Sequence, residues 1–255
     1  MLKIMWTIVI ILIFMAGASV FSFLNVVIYR VPRHLSFVSG RSICPSCGKT
    51  LRGCDMIPVL NWIYLKGKCH YCKGAISPRY PLIELLGGIT ALACVWKYGY
   101  NLQSIIAFAF LSMLTVVAFV DQDTMEIPNG FVTGIFIIAL ISVFFFKEPG
   151  IIERLIGMVS ISVPLLLITL VIAGAFGGGD IKLMAAAGFY LGWKMSLLAF
   201  FCAVFVGGGY GIYLLATRKK GKKDHFAFGP FLCIGMAIAL LAGENLLNWY
   251  LGLFL

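Results

Sequence analysis

Residues 154–182 read RLIGMVSISVPLLLITLVIAGAFGGGDIK. The stretch 154–175 is almost wholly apolar and has the length, about twenty residues, that a helix needs to cross a bilayer. It runs into Gly177-Gly178-Gly179-Asp180. An ionisable residue at the edge of a membrane span is costly and marks a functional site by default. Three successive glycines give the backbone room to approach another group closely. A plainer reading also fits Asp180, since an aspartate at a helix start caps the helix.

The same pattern occurs upstream. Ala118-Phe119-Val120 closes an apolar run and leads into Asp121-Gln122-Asp123, then Glu126-Ile127-Pro128-Asn129. Pro128 and Asn129 mark the entry to the next helix, which Asp123 could cap. Two adjacent carboxylates cannot readily both ionise, so such a pair holds one proton between them. The charged member can activate water while the protonated one donates to a peptide carbonyl. The D-x-D motif offers two partners for Asp180, and side-chain chemistry does not choose between Asp121 and Asp123. No nucleophile motif competes: G-x-S-x-G and H-E-x-x-H are absent, and the three histidines are His34, His70 and His225.

Around these motifs the chain is apolar throughout. Of 255 residues, 61% are hydrophobic and only 12% charged, with a mean hydropathy of +1.01. Soluble domains average about 25% charged residues, so the fold class is an all-α polytopic membrane protein. Eight spans are predicted, at roughly 5–28, 82–97, 103–120, 130–146, 154–175, 183–193, 195–216 and 228–250, with the sixth short and the break at Gly192-Trp193-Lys194. The first is too long for a signal-peptide core and reads as a retained span. Ser112 and Thr115, inside the third, can be satisfied by backbone carbonyls.

The net charge of +10 raises nucleic acid as a partner, but the basic residues cluster in two loops between spans, as on the cytoplasmic side of membrane proteins. With both termini outside, fifteen of the twenty Lys and Arg fall inside: nine from Arg30 to Arg79, Lys182, and five from Arg218 to Lys223. Lys3, Lys97, Lys147, Arg154 and Lys194 fall outside. That orientation places Asp121, Asp123 and Asp180 on the cytoplasmic face. The organisation is a first helix (1–30), a loop domain (31–81) and a transmembrane domain (82–255), with no obvious internal repeat.

The loop domain carries Cys44-Pro-Ser-Cys47, twenty-one residues, then Cys69-His-Tyr-Cys72. Each pair is followed by Gly48-Lys49 or Lys73-Gly74, as in zinc knuckles, and two such pairs complete a tetrahedral S4 shell. A segment this small needs a staple in place of a large core. A closed structural zinc site, redox-active or disulfide-bonded pairs, and four free thiols are the readings to separate. His70 could replace one ligand. Cys54 lies in the same segment, and Cys94, Cys202 and Cys233 read as small buried hydrophobes.

Taken together these residues resemble the type IV prepilin peptidases, a branch of the G-x-G-D aspartyl proteases, over essentially the whole chain. Ser22-Phe23-Leu24-Asn25 with Tyr29-Arg30-Val31-Pro32, the two C-x-x-C pairs, and Arg79-Tyr80-Pro81-Leu82-Ile83-Glu84 follow the family order. So do Asp121-x-Asp123 with Ile127-Pro128, Gly177-Gly178-Gly179-Asp180-x-Lys182 and Phe228-Gly229-Pro230-Phe231. One departure is Phe21, where the family usually has Gly, and it bears on helix packing.

The resemblance implies a bacterial inner-membrane enzyme that cleaves the basic leader of prepilins and pseudopilins after a Gly. Methylation of the new N-terminus by S-adenosylmethionine would follow. By matched position Asp121 and Asp180 are the catalytic pair, with Asp123, Lys182 and Glu84 as supporting candidates. Glu84 could serve methyl transfer, leader binding or packing against Arg30 or Arg79. Membrane lipid is the other partner, and nucleic acid is not expected. An ion-coupled transporter would instead need carboxylates near the midplane and inverted repeats, and a thiol oxidoreductase would show redox-linked cysteines and no metal.

Overall fold

The computed structural model describes residues 2–38, 42–44, 46–172, 174–217 and 226–253, without the side chains of Leu2, Cys54, Asp55 and Leu215. Arg41, His225 and the basic run 218–223 lie outside the described residues, as does the side chain of Cys54. The chain divides into two compact units, Met1–Ser104 and Ile105–Leu255. Its helices are α1 (Leu2–Arg30), α2 (Leu60–Tyr64), α3 (Arg79–Tyr98), α4 (Leu102–Thr124), α5 (Asn129–Phe145), α6 (Ile151–Ser160), α7 (Ser162–Val171), α8 (Gly178–Ala216) and α9 (Gly229–Leu251). Among the described residues the only strand-like pairings are two isolated antiparallel bridges.

In the first unit α1 packs on α3. Lipid offers no hydrophobic drive for this, so close backbone approach through small residues does the work. A Cβ on Gly17 would lie 2.5 Å from the carbonyl oxygen of Gly87 and 2.6 Å from Cβ of Ala91, and one on Gly88 would meet the Phe14 ring at 2.3 Å. The departure at Phe21 finds its explanation in this seam. Phe21 is fully buried, and a Cβ on Gly87 would sit 2.3 Å from its Cγ. Bulk on α1 is matched by a missing side chain on α3. Next to the seam, buried Asn25 donates through Nδ2 to the carbonyl of Tyr80 at 3.3 Å, joining the S-F-L-N and R-Y-P segments.

The second unit is built around α8, which packs on α5, α6, α7 and α9. By hydrogen bonding α8 is one helix of 39 residues, but Gly192 inside it has φ 74° and ψ 169°. A straight helix of that length would reach about 58 Å, roughly twice the hydrocarbon thickness. Its two ends come back to one place: Phe176, just before it, contacts Phe228 with ring centroids 5.8 Å apart, and a Cβ on Gly207 would lie 3.1 Å from the Phe228 ring. So α8 is a helical hairpin turned at Gly192, and the two predicted spans 183–193 and 195–216 are its arms. Among the described residues six helices qualify as spans by length and composition, with α8 counted once and 17-residue α5 falling short. Separating the arms and including α5 gives the eight apolar segments read from the sequence.

The predicted fifth span is interrupted between α6 and α7. Pro164 accounts for this, because it has no N–H to offer the Ser160 carbonyl and its ring crowds that group. Thr115 donates to the Leu111 carbonyl at 2.9 Å, as predicted. Ser112 does not follow: among the described residues its buried hydroxyl has no hydrogen-bond partner.

Candidate active site and cysteine cluster

Asp121 lies in the last turn of α4 and Asp180 in the first turn of α8. Both are buried, at 5% and 8% exposure, and Asp121 lies near enough for its charge to act on Asp180. Three contacts join their helix ends. The Gly229 amide, at the start of α9, donates to Oδ2 of Asp121 at 3.0 Å. Ile127, between α4 and α5, fills the space beside two glycines: a Cβ on Gly179 would meet its Cβ at 2.9 Å, and one on Gly229 its Cδ1 at 3.3 Å. Lys182 donates from Nζ to Oδ1 of Asn129 at 3.1 Å, tying the start of α8 to the start of α5.

The capping reading of Asp180 proves half right. One carboxylate oxygen turns back toward Gly177, whose backbone amide it engages, as a residue at the third helical position does in a capping box. Among the described residues the other oxygen, Oδ1, is buried with no hydrogen-bond partner. Such a group is expensive to leave unsatisfied and calls for a functional account. Asp123, two residues from Asp121, is exposed at the end of α4. It does not cap α5, whose N-cap is Pro128. The geometry therefore gathers Asp121 and Asp180 and leaves Asp123 outside.

Ile127 and Gly229 enter the sequence analysis only as members of the Ile127-Pro128 and F-G-P-F motifs, with no role of their own. A main-chain donor 108 residues from its acceptor leaves no side-chain signature, and for Gly229 the F-G-P-F motif is the available signal. Arg154 falls among the outside charges in the sequence and shows no other role there. It is buried at 1% exposure and donates to the carbonyls of Pro149 and Phe189 and to the Ser142 hydroxyl.

In the first unit the sulfur atoms of Cys44, Cys47, Cys69 and Cys72 all lie within 4.8 Å of one another. All four are free thiols. Cys44 and Cys72 approach to 3.9 Å, near the edge of about 3.8 Å that a tetrahedral shell with 2.3 Å bonds requires. Two turns of one design present them. Cys44 N–H donates to Lys49 and Gly48 N–H to Cys44, at 2.9 and 2.8 Å, while Cys69 N–H donates to Gly74 and Lys73 N–H to Cys69, at 2.8 and 3.1 Å. The bridges Ile43 to Thr50 and Lys68 to Ala75 close the two turns. The two turns are the knuckles expected from the sequence, with the hairpin corner at Gly48 in one copy (φ 69°) and at Lys73 in the other (φ 58°). Burial opposes the Cys44 thiolate, but hydrogen bonds from the Cys47 and Ser46 backbone bring its pKa down to about 7. The donor set fits a metal ion. His70 is exposed beside it and stacks edge-on against Tyr71.

Glu84 lies in the second turn of α3 and accepts a hydrogen bond through Oε2 from the Val59 amide at 2.8 Å. Val59 has φ 61°, a conformation that a β-branched residue holds only when its surroundings impose it.

These features define a class: a multi-pass α-helical membrane protein that holds a buried carboxylate pair at one end of a helical unit and carries a four-thiol cluster. The chain belongs to the type IV leader peptidase family. That family's model matches residues 108–212, and the model described as Bacterial Peptidase A24 N-terminal domain matches 15–98. The chain is similar to proteins named prepilin leader peptidase/N-methyltransferase. The Bacillus subtilis (strain 168) protein is 34% identical, over 94% of this chain and 97% of that relative. The Neisseria gonorrhoeae protein is 33% identical over 92% of each, and the Legionella pneumophila protein 29% identical over 92% and 91%. No solved structure matches the chain.

Proposed function

We propose that the protein is an aspartyl endopeptidase of the bacterial inner membrane that removes the leader peptide of type IV prepilins and pseudopilins, with Asp121 and Asp180 as its catalytic pair. The observation that carries this reading is the buried, unpartnered Oδ1 of Asp180 beside Asp121, itself held by the Gly229 amide. One carboxylate takes a proton from water as the oxygen adds to the scissile carbonyl carbon, and the protonated partner donates to the carbonyl oxygen. Collapse of the adduct breaks the C–N bond, and the amine leaves with a proton. Lys182 supports the pair by fixing α8 to α5 through Asn129.

Fifteen of the twenty basic residues fall on one side when both termini are outside, which supports a cytoplasmic position for the carboxylates. A prepilin leader is basic and precedes an apolar helix, so its scissile bond lies at that surface. The four cysteines of the 31–81 loop domain would hold a structural zinc ion. Methylation of the new N-terminus by S-adenosylmethionine is supported by the names of the relatives.

Incubation of the detergent-purified protein with a prepilin and S-adenosylmethionine, read by mass spectrometry, tests both activities. Asp121→Asn and Asp180→Asn should each abolish leader loss, while Asp123→Asn should keep most of it. Normal cleavage by either of the first two would rule out the mechanism, and a greater loss with Asp123→Asn would reverse the choice within the D-x-D motif.

A further inference from the structure

Helix α2 shows an inverted pattern. Its apolar residues Leu60, Ile63 and Tyr64, spaced to share one helix face, are 57%, 60% and 83% exposed. Met56 and Ile57, just before it, are exposed as well. The other side is the packed one. Trp62 donates from Nε1 to the Ile76 carbonyl at 3.2 Å, and its ring lies where a Cβ on Gly67 would be, 3.0 Å away. A helix in water would hide the first set. Lys66 and Lys68 follow directly and are exposed.

Glu84 fixes the height of the start of α2 along α3. The Val59 amide, at the N-cap of α2, is bonded to this residue of α3. Glu84 lies five residues into α3, about 7 Å along the helix axis, and α3 is long and apolar enough to be a span. The start of α2 is therefore tied level with the first turns of a helix able to span a bilayer, and interfacial helices rest roughly 5–10 Å into the boundary of headgroups and acyl chains. The 31–81 segment carries eight Lys and Arg against a single acid, Asp55.

From this juxtaposition we propose that residues 56–68 form an interfacial membrane anchor, with Leu60, Ile63 and Tyr64 inserted among phospholipid acyl chains and Lys66 and Lys68 on anionic headgroups. The charge balance favours lipid over the leader, because a basic leader would be repelled by this segment. Basic residues at an apolar face are the usual recognition of anionic lipid. The anchor does not depend on which reaction the protein carries out.

The full chain with Tyr64 replaced by p-benzoylphenylalanine, reconstituted into bilayers of phosphatidylcholine alone or mixed with phosphatidylglycerol, tests it. After irradiation, intact-mass analysis should find phospholipid adducts several-fold more abundant than with the same probe at exposed His70. Phosphatidylglycerol adducts should exceed that lipid's share of the mixture. Equal labelling at the two positions overturns the proposal. So do adducts that join Tyr64 mainly to an added prepilin or to a second copy of the chain.

Discussion

At the scale of single residues, the three glycines before Asp180 are not equivalent. Among the described residues a Cβ on Gly178 meets nothing within 4 Å, one on Gly177 comes nearest to the Asp180 carboxylate at 3.2 Å, and one on Gly179 runs into Ile127 at 2.9 Å. Forced overpacking of this kind costs about 1–3 kcal/mol. Leader cleavage should therefore be close to normal in Gly178→Ala and fall at least about tenfold in Gly179→Ala, which corresponds to about 1.4 kcal/mol in the barrier. Gly229→Ala should be worse still, because its Cβ would stand 2.5 Å from Asp121 Oδ2. Initial rates on one prepilin, with thermal unfolding as a control for folding, check the order. Equal losses at Gly178 and Gly179 would mean that the motif serves backbone freedom and not space. The aspartates themselves were legible in the sequence, since a charge closing an apolar run has few reasons to be there. Which glycine is tightly packed was not, because that depends on Ile127, more than fifty residues away.

At the scale of helices, the spans were legible to within a few residues, as their lengths are imposed by the bilayer. The turn at Gly192 was also visible as a break. The pairing of helices was hidden, because in lipid it rests on which small residues face which large ones. Phe21 against Gly87 is the clearest case. Gly87→Ala places a Cβ 2.3 Å from the Phe21 ring and should destabilise the first unit by about 1–3 kcal/mol. Phe21→Gly, which removes the opposing ring, should itself cost about 3–5 kcal/mol by opening a cavity. The double variant should lose clearly less than the sum, because the two substitutions act on one contact. Unfolding of the purified protein followed by denaturant titration measures the coupling. Strict additivity would show that the α1–α3 seam is not packed through this pair.

At the scale of the whole molecule, the two candidate centres fall in different compact units. The carboxylate pair, Ile127, Gly179 and Gly229 all lie within Ile105–Leu255, and the four thiols within Met1–Ser104. A structural metal contributes folding energy to the small segment it closes. Nothing in the aspartate chemistry draws on it. Removing the metal by chelation, or by Cys44→Ser with Cys69→Ser, should therefore melt the 42–77 region and expose it to protease. Hydrolysis of the leader bond should survive within about threefold, well under the 1.4 kcal/mol of a tenfold change. Elemental analysis should give one zinc per chain before treatment and none after. If S-adenosylmethionine is used through the first unit, the mass gain of a methyl group on the product should vanish under the same treatment while leader loss continues. Simultaneous loss of both activities on chelation would instead make the thiol cluster a requirement of the peptidase itself, and would contradict a site assembled wholly from the second unit.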